Sequence, residues 1–230
     1  MSDGKPEVEL DAERANALAA VLPGQFVVFD GGDGCGKTTQ FNRLLKFCER
    51  AGIEVEEVRE PGGTRIGEGV RSILLDPEND MMDLRAEMLL YMASRAQLLA
   101  ERIEPALAAG RTVLADRFIS ATLAYQGTAG GLSPEEIMMV GNVVLRDRKP
   151  DLVVIFDLDE ASAAERRGRG RGAENEDRME QKGLAFQRRV REGYLAQVRG
   201  NPETHALIDS SADSDKVFSS LLQTLCDRLV

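Results

Sequence analysis

The chain has 230 residues, 8 phenylalanines, 3 tyrosines and no tryptophan, and its formal net charge at pH 7 is −10. This length fits one α/β domain with an ample core, or at most two small domains. The negative charge and the few aromatic residues disfavour nonspecific binding to nucleic acid and to anionic membranes, so we expect neither as a partner. Three scattered cysteines, no bilayer-length apolar stretch and no signal-like start lead us to expect a cytoplasmic protein.

Residues 1–22 are acidic and form a predicted N-terminal extension, in which residues 11–22 have the pattern of a short amphipathic helix. Residues 23–230 are predicted to form a single domain. Its first strand is the apolar run of residues 26–30, which follows the turn residues Pro23 and Gly24.

A glycine-rich loop follows this strand. Residues 31–38 read Gly-Gly-Asp-Gly-Cys-Gly-Lys-Thr, which fits a glycine, any four residues and then Gly-Lys-Thr. A helical pattern comes next, and a loop between a buried strand and a helix is the context of a phosphate-binding loop. Its backbone N–H groups and Lys37 can hold phosphates, and the hydroxyl of Thr38 can bind Mg²⁺. A chance glycine-rich turn is the alternative, which the flanking elements disfavour, so we predict nucleoside triphosphate binding.

The rest of the chain alternates between strand and helix patterns. The further predicted strands cover residues 53–59, 112–115, 151–158 and 206–208. The first predicted helix follows the glycine-rich loop and ends at about residue 50. Further predicted helices cover residues 66–75, 84–109, 134–148, a short stretch after 158, 177–198 and a closing segment. An arginine- and glycine-rich loop precedes residue 177. This alternation predicts an α/β fold, a doubly wound parallel five-stranded sheet with helices on both faces and ligands at the carboxyl ends of the strands.

Polar motifs follow two of these strands. Residues 60–64, Glu-Pro-Gly-Gly-Thr, end the second strand, although an ordinary turn would look the same. Asp116 and Arg117 end the third strand, where a surface ion pair is the alternative. Asp157 and Asp159 end the fourth strand, so the carboxylate nearest a metal is not decided by the pattern alone.

Two helical patterns have alternative interpretations. Tyr91 and Arg95 are four residues apart, so they share a helix face and could bracket a base, or they could be a plain surface pair. The same helix carries more apolar residues than one core-facing stripe requires, which indicates core or a subunit interface. These residues include Met88, Leu89, Met92 and Leu98.

The arginines of the late loop alternate with glycines at Arg166, Arg167, Arg169 and Arg171. They form the one concentrated cationic patch of an acidic chain. A solvated loop is the simple interpretation, but mobile arginines after a phosphate-binding loop favour a lid over about residues 166–177.

Taken in order, these motifs resemble those of the bacterial thymidylate kinase family, which are nucleoside monophosphate kinases with a phosphate-binding loop. The resemblance covers residues 25–230 and rests on residues 30–39, 60–64, 116–127 and the arginine lid running into Asp177-Arg178-Met179-Glu180. It implies transfer of the γ-phosphoryl group of ATP to dTMP with Mg²⁺, giving dTDP for dTTP biosynthesis. It also implies a homodimer, with the helix around residues 87–99 near the interface.

The resemblance also implies site residues. ATP would contact the loop residues Gly31, Gly32, Asp33, Gly34, Cys35, Gly36, Lys37, Thr38 and Thr39. The substrate dTMP would contact Asp33, Glu60, Arg71, Tyr91, Arg95, Arg117, Thr122, Tyr125 and Gln126. Metal candidates are Thr38, Asp116 and Glu60, and catalytic candidates are Lys37, Arg117 and the lid arginines Arg171, Arg167 and Arg169.

Within that set, Asp33 would accept a hydrogen bond from the sugar 3′-hydroxyl, and Arg71 and Arg117 would clamp the acceptor phosphate. Tyr91 would stack on thymine, Arg95 and Gln126 would read its polar edge, and Tyr125 would crowd the 2′ position, with the hydroxyl of Thr122 nearby. All of these roles are implied by the resemblance.

The chain departs from the family pattern in several places. Asp30 stands where Glu is usual, and Ser120-Ala121 replaces an acidic residue followed by serine. The spacer from Arg171 to Asp177 is longer than usual. Gly34 leaves the phosphate-binding loop without an arginine, which is typical of members whose catalytic arginines lie in the lid.

Two further expectations concern rivals and reactivity. A nucleotide-driven switch is disfavoured because a GTP-binding switch should carry an Asn-Lys-x-Asp motif, which is absent from the sequence. A kinase for another nucleoside monophosphate is the nearer rival. Because Cys35 lies in the loop beside Lys37 and a helix start, we expect a thiol with a lowered pKa and raised reactivity. The alternative is an inert side chain that points into the protein.

Overall fold

The structure is a computed structural model that describes residues 12–170 and 178–230. Its five strands are β1 (Phe26–Gly31), β2 (Val55–Arg59), β3 (Thr112–Asp116), β4 (Leu152–Asp157) and β5 (His205–Asp209). They form one sheet in the order β2-β3-β1-β4-β5, and every pairing is parallel. The predicted doubly wound five-stranded α/β fold is confirmed.

Helices surround this sheet. They are α1 (Ala12–Val21), α2 (Lys37–Arg50), α3 (Arg65–Leu75), α4 (Leu84–Leu98), α5 (Glu104–Ala108), α6 (Ile119–Thr122), α7 (Pro134–Leu145), α8 (Glu160–Gly170), α9 (Gly183–Gly200) and α10 (Ser214–Leu229). Short 3₁₀ turns cover Pro77–Asn79 and Glu180–Lys182, and π-helical segments cover Leu99–Ile103 and Leu123–Ala129. None of the helices in the described part of the chain is long and apolar enough to cross a membrane.

The central strand shows why the sheet is covered on both faces. All six residues of β1 are buried. Phe26 and Val28 belong to one hydrophobic core, and Val27 and Phe29 belong to the other. Because side chains alternate between the two faces of a strand, a strand that is buried at every position needs a layer of helices on each side.

The N-terminal helix α1 is part of one of these cores. Leu18 and Leu22 are fully buried there beside residues of α2 and α10. The hydroxyl of Thr112 donates to the carbonyl of Leu22 at 2.8 Å, which ties the chain after α1 to β3. The helix predicted for residues 11–22 is therefore present as α1, and the described part of the extension contributes to the core.

Several element boundaries differ from the predictions. The helix predicted for residues 84–109 contains the π-helical segment Leu99–Ile103, just before Pro105, which has no N–H to donate. The helix predicted to reach residue 148 ends at Leu145, because Arg146 has a φ of 53°. The second strand begins at Val55 rather than at residue 53.

The region of the predicted lid also differs. Helix α8 continues to Gly170, so Arg166, Arg167 and Arg169 lie on a helix where a loop was predicted. The long helix predicted from residue 177 begins only at Gly183, after a 3₁₀ turn, and Gly183 has a φ of 77° that suits glycine.

Candidate active site

A cleft of about 350 Å³ opens beyond the carboxyl ends of β1, β2 and β3. It gathers most of the predicted site residues, which come from loops and helices that follow these strands. Those that line it are Asp33, Lys37, Thr38, Glu60, Arg71, Tyr91, Asp116, Arg117, Thr122, Tyr125 and Gln126. Arg59, Pro61, Leu75, Ala121 and Met179 complete the lining.

The loop between β1 and α2 has the backbone geometry that a phosphate-binding loop needs. Gly34 and Gly36 have φ values of 84° and 87°, in the left-handed region that favours glycine. At Gly31, an added Cβ would lie 2.4 Å from the carbonyl oxygen of Phe156, so only glycine fits. Helix α2 then starts at Lys37, and its first N–H groups face the loop, an arrangement that binds anions.

Lys37 and Asp116 form an ion pair at this end of the cleft. Lys37 Nζ lies 3.0 Å from Asp116 Oδ1. Burial raises the pKa of Asp116, but the positive charges of Lys37 and Arg117 outweigh burial and hold this pKa below its usual value. The carboxylate is therefore charged at neutral pH and, with the hydroxyl of Thr38, offers the hard oxygen ligands that Mg²⁺ prefers.

Arg117 is held in an unusual conformation. Its φ is 72°, a left-handed value that costs free energy for a residue with a side chain. Its guanidinium donates to Asp30 Oδ1 at 3.1 Å, to the carbonyl of Gly31 at 2.9 Å and to the hydroxyl of Tyr194 at 3.0 Å. These contacts fix the guanidinium at the mouth of the phosphate-binding loop.

The same guanidinium also contacts two further residues of the cleft. It pairs with Asp33 and donates to the hydroxyl of Tyr125 at 3.2 Å. The Tyr125 hydroxyl in turn donates to Asp33 Oδ2 at 2.9 Å. Asp33, Arg117 and Tyr125 therefore form one connected group.

Asp30 and Tyr194 both hold the Arg117 guanidinium, and neither was predicted from the sequence as a site residue. Asp30 is fully buried and accepts from Ser120 Oγ at 2.6 Å, from Arg117 and from the hydroxyl of Tyr194. Asp30 stands where the family usually has Glu, and Ser120 stands where it usually has an acidic residue. These two departures from the family pattern therefore contact each other. Tyr194 lies inside the amphipathic pattern of α9, so nothing in the sequence distinguished it from a core residue.

Arg95 does not line the cleft. It is 1% exposed, its Nε donates to Glu60 Oε2 at 2.8 Å, and its Nη2 donates to Thr122 Oγ1 at 3.1 Å. Among the described residues, its Nη1 has a hydrogen bond to the weak acceptor Met92 Sδ, at 3.3 Å. Arg95 therefore lies directly behind Thr122, which lines the cleft, and one of its donors is poorly satisfied.

Glu60 is the carboxylate partner of Arg95. Burial raises its pKa to about 7, although the charge of Arg95 acts in the opposite direction. Among the described residues, Glu60 Oε1 has no hydrogen-bond partner. Compared with Asp116, this buried carboxyl is the poorer metal ligand, because it holds a proton more readily.

The expectation for Cys35 is wrong. Its side chain is 2% exposed and belongs to the core with Phe29 and Phe41. Burial raises its pKa, and this effect outweighs the opposing charge of Lys37. The thiol points inward while its backbone belongs to the loop, so the residue remains a predicted ATP contact through its N–H group only.

The lid arginines are only partly within the described structure. Arg166 Nη1 donates to the carbonyl of Ser210 at 2.9 Å, so the first of them contacts the loop that follows β5. Arg167 and Arg169 lie in α8, and Arg171 lies outside the described residues. Gly170 therefore marks the last described position before the predicted catalytic arginine.

Comparison with known proteins gives the same family on three grounds. The family model described as thymidylate kinase matches residues 29–221. A thymidylate kinase of Caldanaerobacter subterraneus subsp. tengcongensis is 46% identical over 208 residues, covering 90% of this chain and 98% of the relative. One of Geobacillus sp. (strain WCH70) is 40% identical over 208 residues, covering 90% and 99%. The crystal structure of thymidylate kinase from Ehrlichia chaffeensis superposes with a TM-score of 0.70 at 30% identity, covering 87% of this chain and 97% of that one.

Proposed function

The chain belongs to the thymidylate kinase family, which phosphorylates dTMP to dTDP, and we propose how its cleft carries out this transfer with ATP and Mg²⁺. The observation that carries the proposal is that Lys37, Asp116 and Arg117 line the same cleft as Tyr91 and Gln126. The first three side chains suit phosphates, and the other two suit a base.

We propose that the phosphates of ATP lie on the N–H groups of Gly31 to Thr39 and are contacted by Lys37. Thr38 and Asp116 would hold Mg²⁺ together with phosphate oxygens, with Glu60 as a second candidate. Mg²⁺ usually binds through one or two protein oxygens plus substrate phosphates, which this donor set matches. When bound, the ion neutralises charge on the transferring phosphoryl group.

Arg71 and Arg117 would clamp the phosphate of dTMP. Both line the cleft, and Arg71 Nη1 is oriented by a hydrogen bond of 2.8 Å to the carbonyl of Pro61. The attacking atom is a phosphate oxygen that is already ionised near neutral pH, so no general base is required. Catalysis then consists of holding the two phosphates in line and neutralising their charge.

The sugar and base would occupy the other end of the cleft. Asp33 would accept from the 3′-hydroxyl, and Tyr125, which is hydrogen-bonded to Asp33, would crowd the 2′ position. Tyr91 would stack on thymine. Arg95 would direct its Nη1, now on Met92 Sδ, to a carbonyl of the base beside Thr122, and Gln126 would contact the same polar edge.

A lid arginine would supply further positive charge. Gly34 contributes no side chain to the loop. Lys37 and the metal would therefore neutralise only part of the charge that develops on the transferring phosphoryl group. Arg171 is our first choice, with Arg167 and Arg169 next. We also propose that the enzyme acts as a homodimer.

A coupled assay of ADP release tests the substrate. With ATP and Mg²⁺, dTMP should be turned over far faster than dCMP, dGMP or AMP. For dCMP the reason is that cytosine presents an amino group where Arg95 requires an acceptor. Arg95→Ala should narrow the ratio of dTMP to dCMP turnover. Equal turnover of all four monophosphates would contradict the thymidylate specificity and leave only a general nucleotide kinase.

A further inference from the structure

A buried carboxylate lies behind the base end of the cleft, and none of the roles above uses it. Glu87, on α4, is 1% exposed. Its Oε1 accepts from Gln126 Nε2 at 2.7 Å, and its Oε2 accepts from Arg178 Nη2 at 2.6 Å. Lys182 Nζ lies 3.6 Å from the same Oε2. Glu87 therefore connects a residue of the cleft to the chain segment that follows the predicted lid.

The chemistry of a carboxylate gives this contact a direction. A glutamine amide has a donor end and an acceptor end of nearly equal size, so its own shape does not decide which end faces a ligand. An ionised carboxylate only accepts hydrogen bonds. A glutamate at position 87 thus binds the NH₂ group of Gln126 and leaves the amide oxygen for the cleft, which Gln126 lines.

Two cations make a buried carboxylate tolerable there. Arg178 is 6% exposed and is itself fixed to the end of α3, where its Nε donates to the carbonyl of Leu74 at 2.9 Å. Burying a charge is costly unless it is paired and hydrogen-bonded, and here both carboxylate oxygens have donors. If position 87 were a neutral amide, it could donate as well as accept, and the direction would be lost.

We propose that Glu87 is a positioning residue for base selection: it holds Gln126 so that the amide oxygen, not the NH₂ group, faces the base. The inference rests on the proposed function. The N3 atom of thymine carries a hydrogen and can donate to this oxygen, whereas N3 of cytosine carries a lone pair and would face it acceptor to acceptor. Glu87 thereby contributes to the preference for dTMP over dCMP without touching either.

The test compares two substrates in one variant. In Glu87→Gln, the ratio of kcat/KM for dTMP to kcat/KM for dCMP should fall about tenfold, the effect of one lost and correctly directed hydrogen bond. The ratio cancels changes in folding, ATP binding and lid closure that affect both substrates alike. Glu101→Gln is the matched control, because Glu101 is an exposed glutamate that also accepts from a glutamine amide, that of Gln97, and its variant should keep the ratio.

Two further variants separate positioning from general damage. The double variant Glu87→Gln with Arg178→Gln removes the buried charge pair together, which avoids an unpaired guanidinium, and should show the same fall. In a Gln126→Leu background, Glu87→Gln should have no additional effect on the ratio, because the amide through which it acts is gone.

The outcomes are distinct. An unchanged ratio in Glu87→Gln, or an equal fall with and without the Gln126 amide, would overturn the role of Glu87 and leave the proposed function intact. A parent enzyme without preference for dTMP would overturn both.

Discussion

At the scale of single residues, Arg117 shows how the cleft depends on one buried carboxylate. Its left-handed backbone is unfavourable for a residue with a side chain, and Asp30 compensates with a buried ion pair at 3.1 Å. Asp30 also binds Ser120 and Tyr194, so three separate elements meet at this carboxylate. The position of the guanidinium is therefore set before any phosphate binds, which lowers the cost of ordering the site.

Glu60 allows a prediction on pH at the same scale. Its pKa of about 7 in the folded protein lies above the usual 4.5, because burial favours the neutral form. Between these two values the folded protein holds a proton that the unfolded chain has released. The contribution of Glu60 to the free energy of unfolding is therefore fully present below the lower value and is lost as the pH rises through the upper one.

Urea unfolding between about pH 5 and about pH 8 measures this contribution. The side chain of Gln cannot titrate. We therefore expect the unfolding free energy of Glu60→Gln to fall less over that pH range than the unfolding free energy of the parent protein. Glu135→Gln, at an exposed position of α7, should keep the parent's decline. The prediction is wrong if Glu60→Gln and the parent decline equally.

At the scale of elements, the segment from α8 to α9 carries the predicted catalytic arginine. Arg171→Ala should lower kcat by about 10³-fold while KM for dTMP changes little, because the contact is made to the transition state. Arg199→Ala, which removes an exposed arginine near the end of α9, should leave kcat unchanged. Steady-state kinetics of both variants measure kcat and the KM for dTMP.

Arg167→Ala and Arg169→Ala complete that test, since both residues lie on α8 and precede Arg171 closely. Near-normal kcat in all three single variants would refute a catalytic arginine in this segment. It would indicate that the segment is only a solvated part of the surface.

Helix α1 gives a second prediction at this scale, because it lies outside the resemblance yet reaches the core. Leu18 is fully buried, so Leu18→Ala should lower the free energy of unfolding by about 2–5 kcal/mol through lost burial and a cavity. Asn16→Ala, exposed on the same helix, is the control and should have little effect. Equal denaturant midpoints for the two variants would show that α1 contributes no stability.

At the scale of the whole molecule, an apolar surface on α4 and α7 supports the proposed homodimer. The buried Met88, Met92 and Leu98 belong to the cores, so only Leu89 of the four residues noted on this helix is exposed, at 51%. On the adjoining helix α7, Met139 and Val143 are 73% and 77% exposed. These two are four residues apart and share a face.

We predict that Val143→Asp converts a dimer into monomers, because a carboxylate in an apolar interface is costly to desolvate. Light scattering at micromolar concentration measures the mass. Leu184→Asp, at a 52% exposed position of α9, should leave the mass unchanged. If the parent protein already has the mass of a single chain, the homodimer is refuted.

Local sequence was enough to predict the fold and the backbone of the glycine-rich loop. The strand at residues 26–30, the glycines at 34 and 36 and the start of α2 at Lys37 depend on backbone geometry within a few residues, and such geometry follows from residue type. The same holds for the parallel sheet, because strands that alternate with helices along the chain have few other arrangements.

Only the tertiary structure decided which distant segments of the chain are in contact. Asp30 and Tyr194 are 164 positions apart, and Glu87 and Arg178 are 91 apart, so no local pattern links them. The same limit explains the error at Cys35, where neighbours in sequence indicated a reactive thiol with a lowered pKa but the side chain points into the core. Whether a polar or reactive side chain meets a ligand, a partner or the interior depends on packing between elements, which residue spacing alone does not specify.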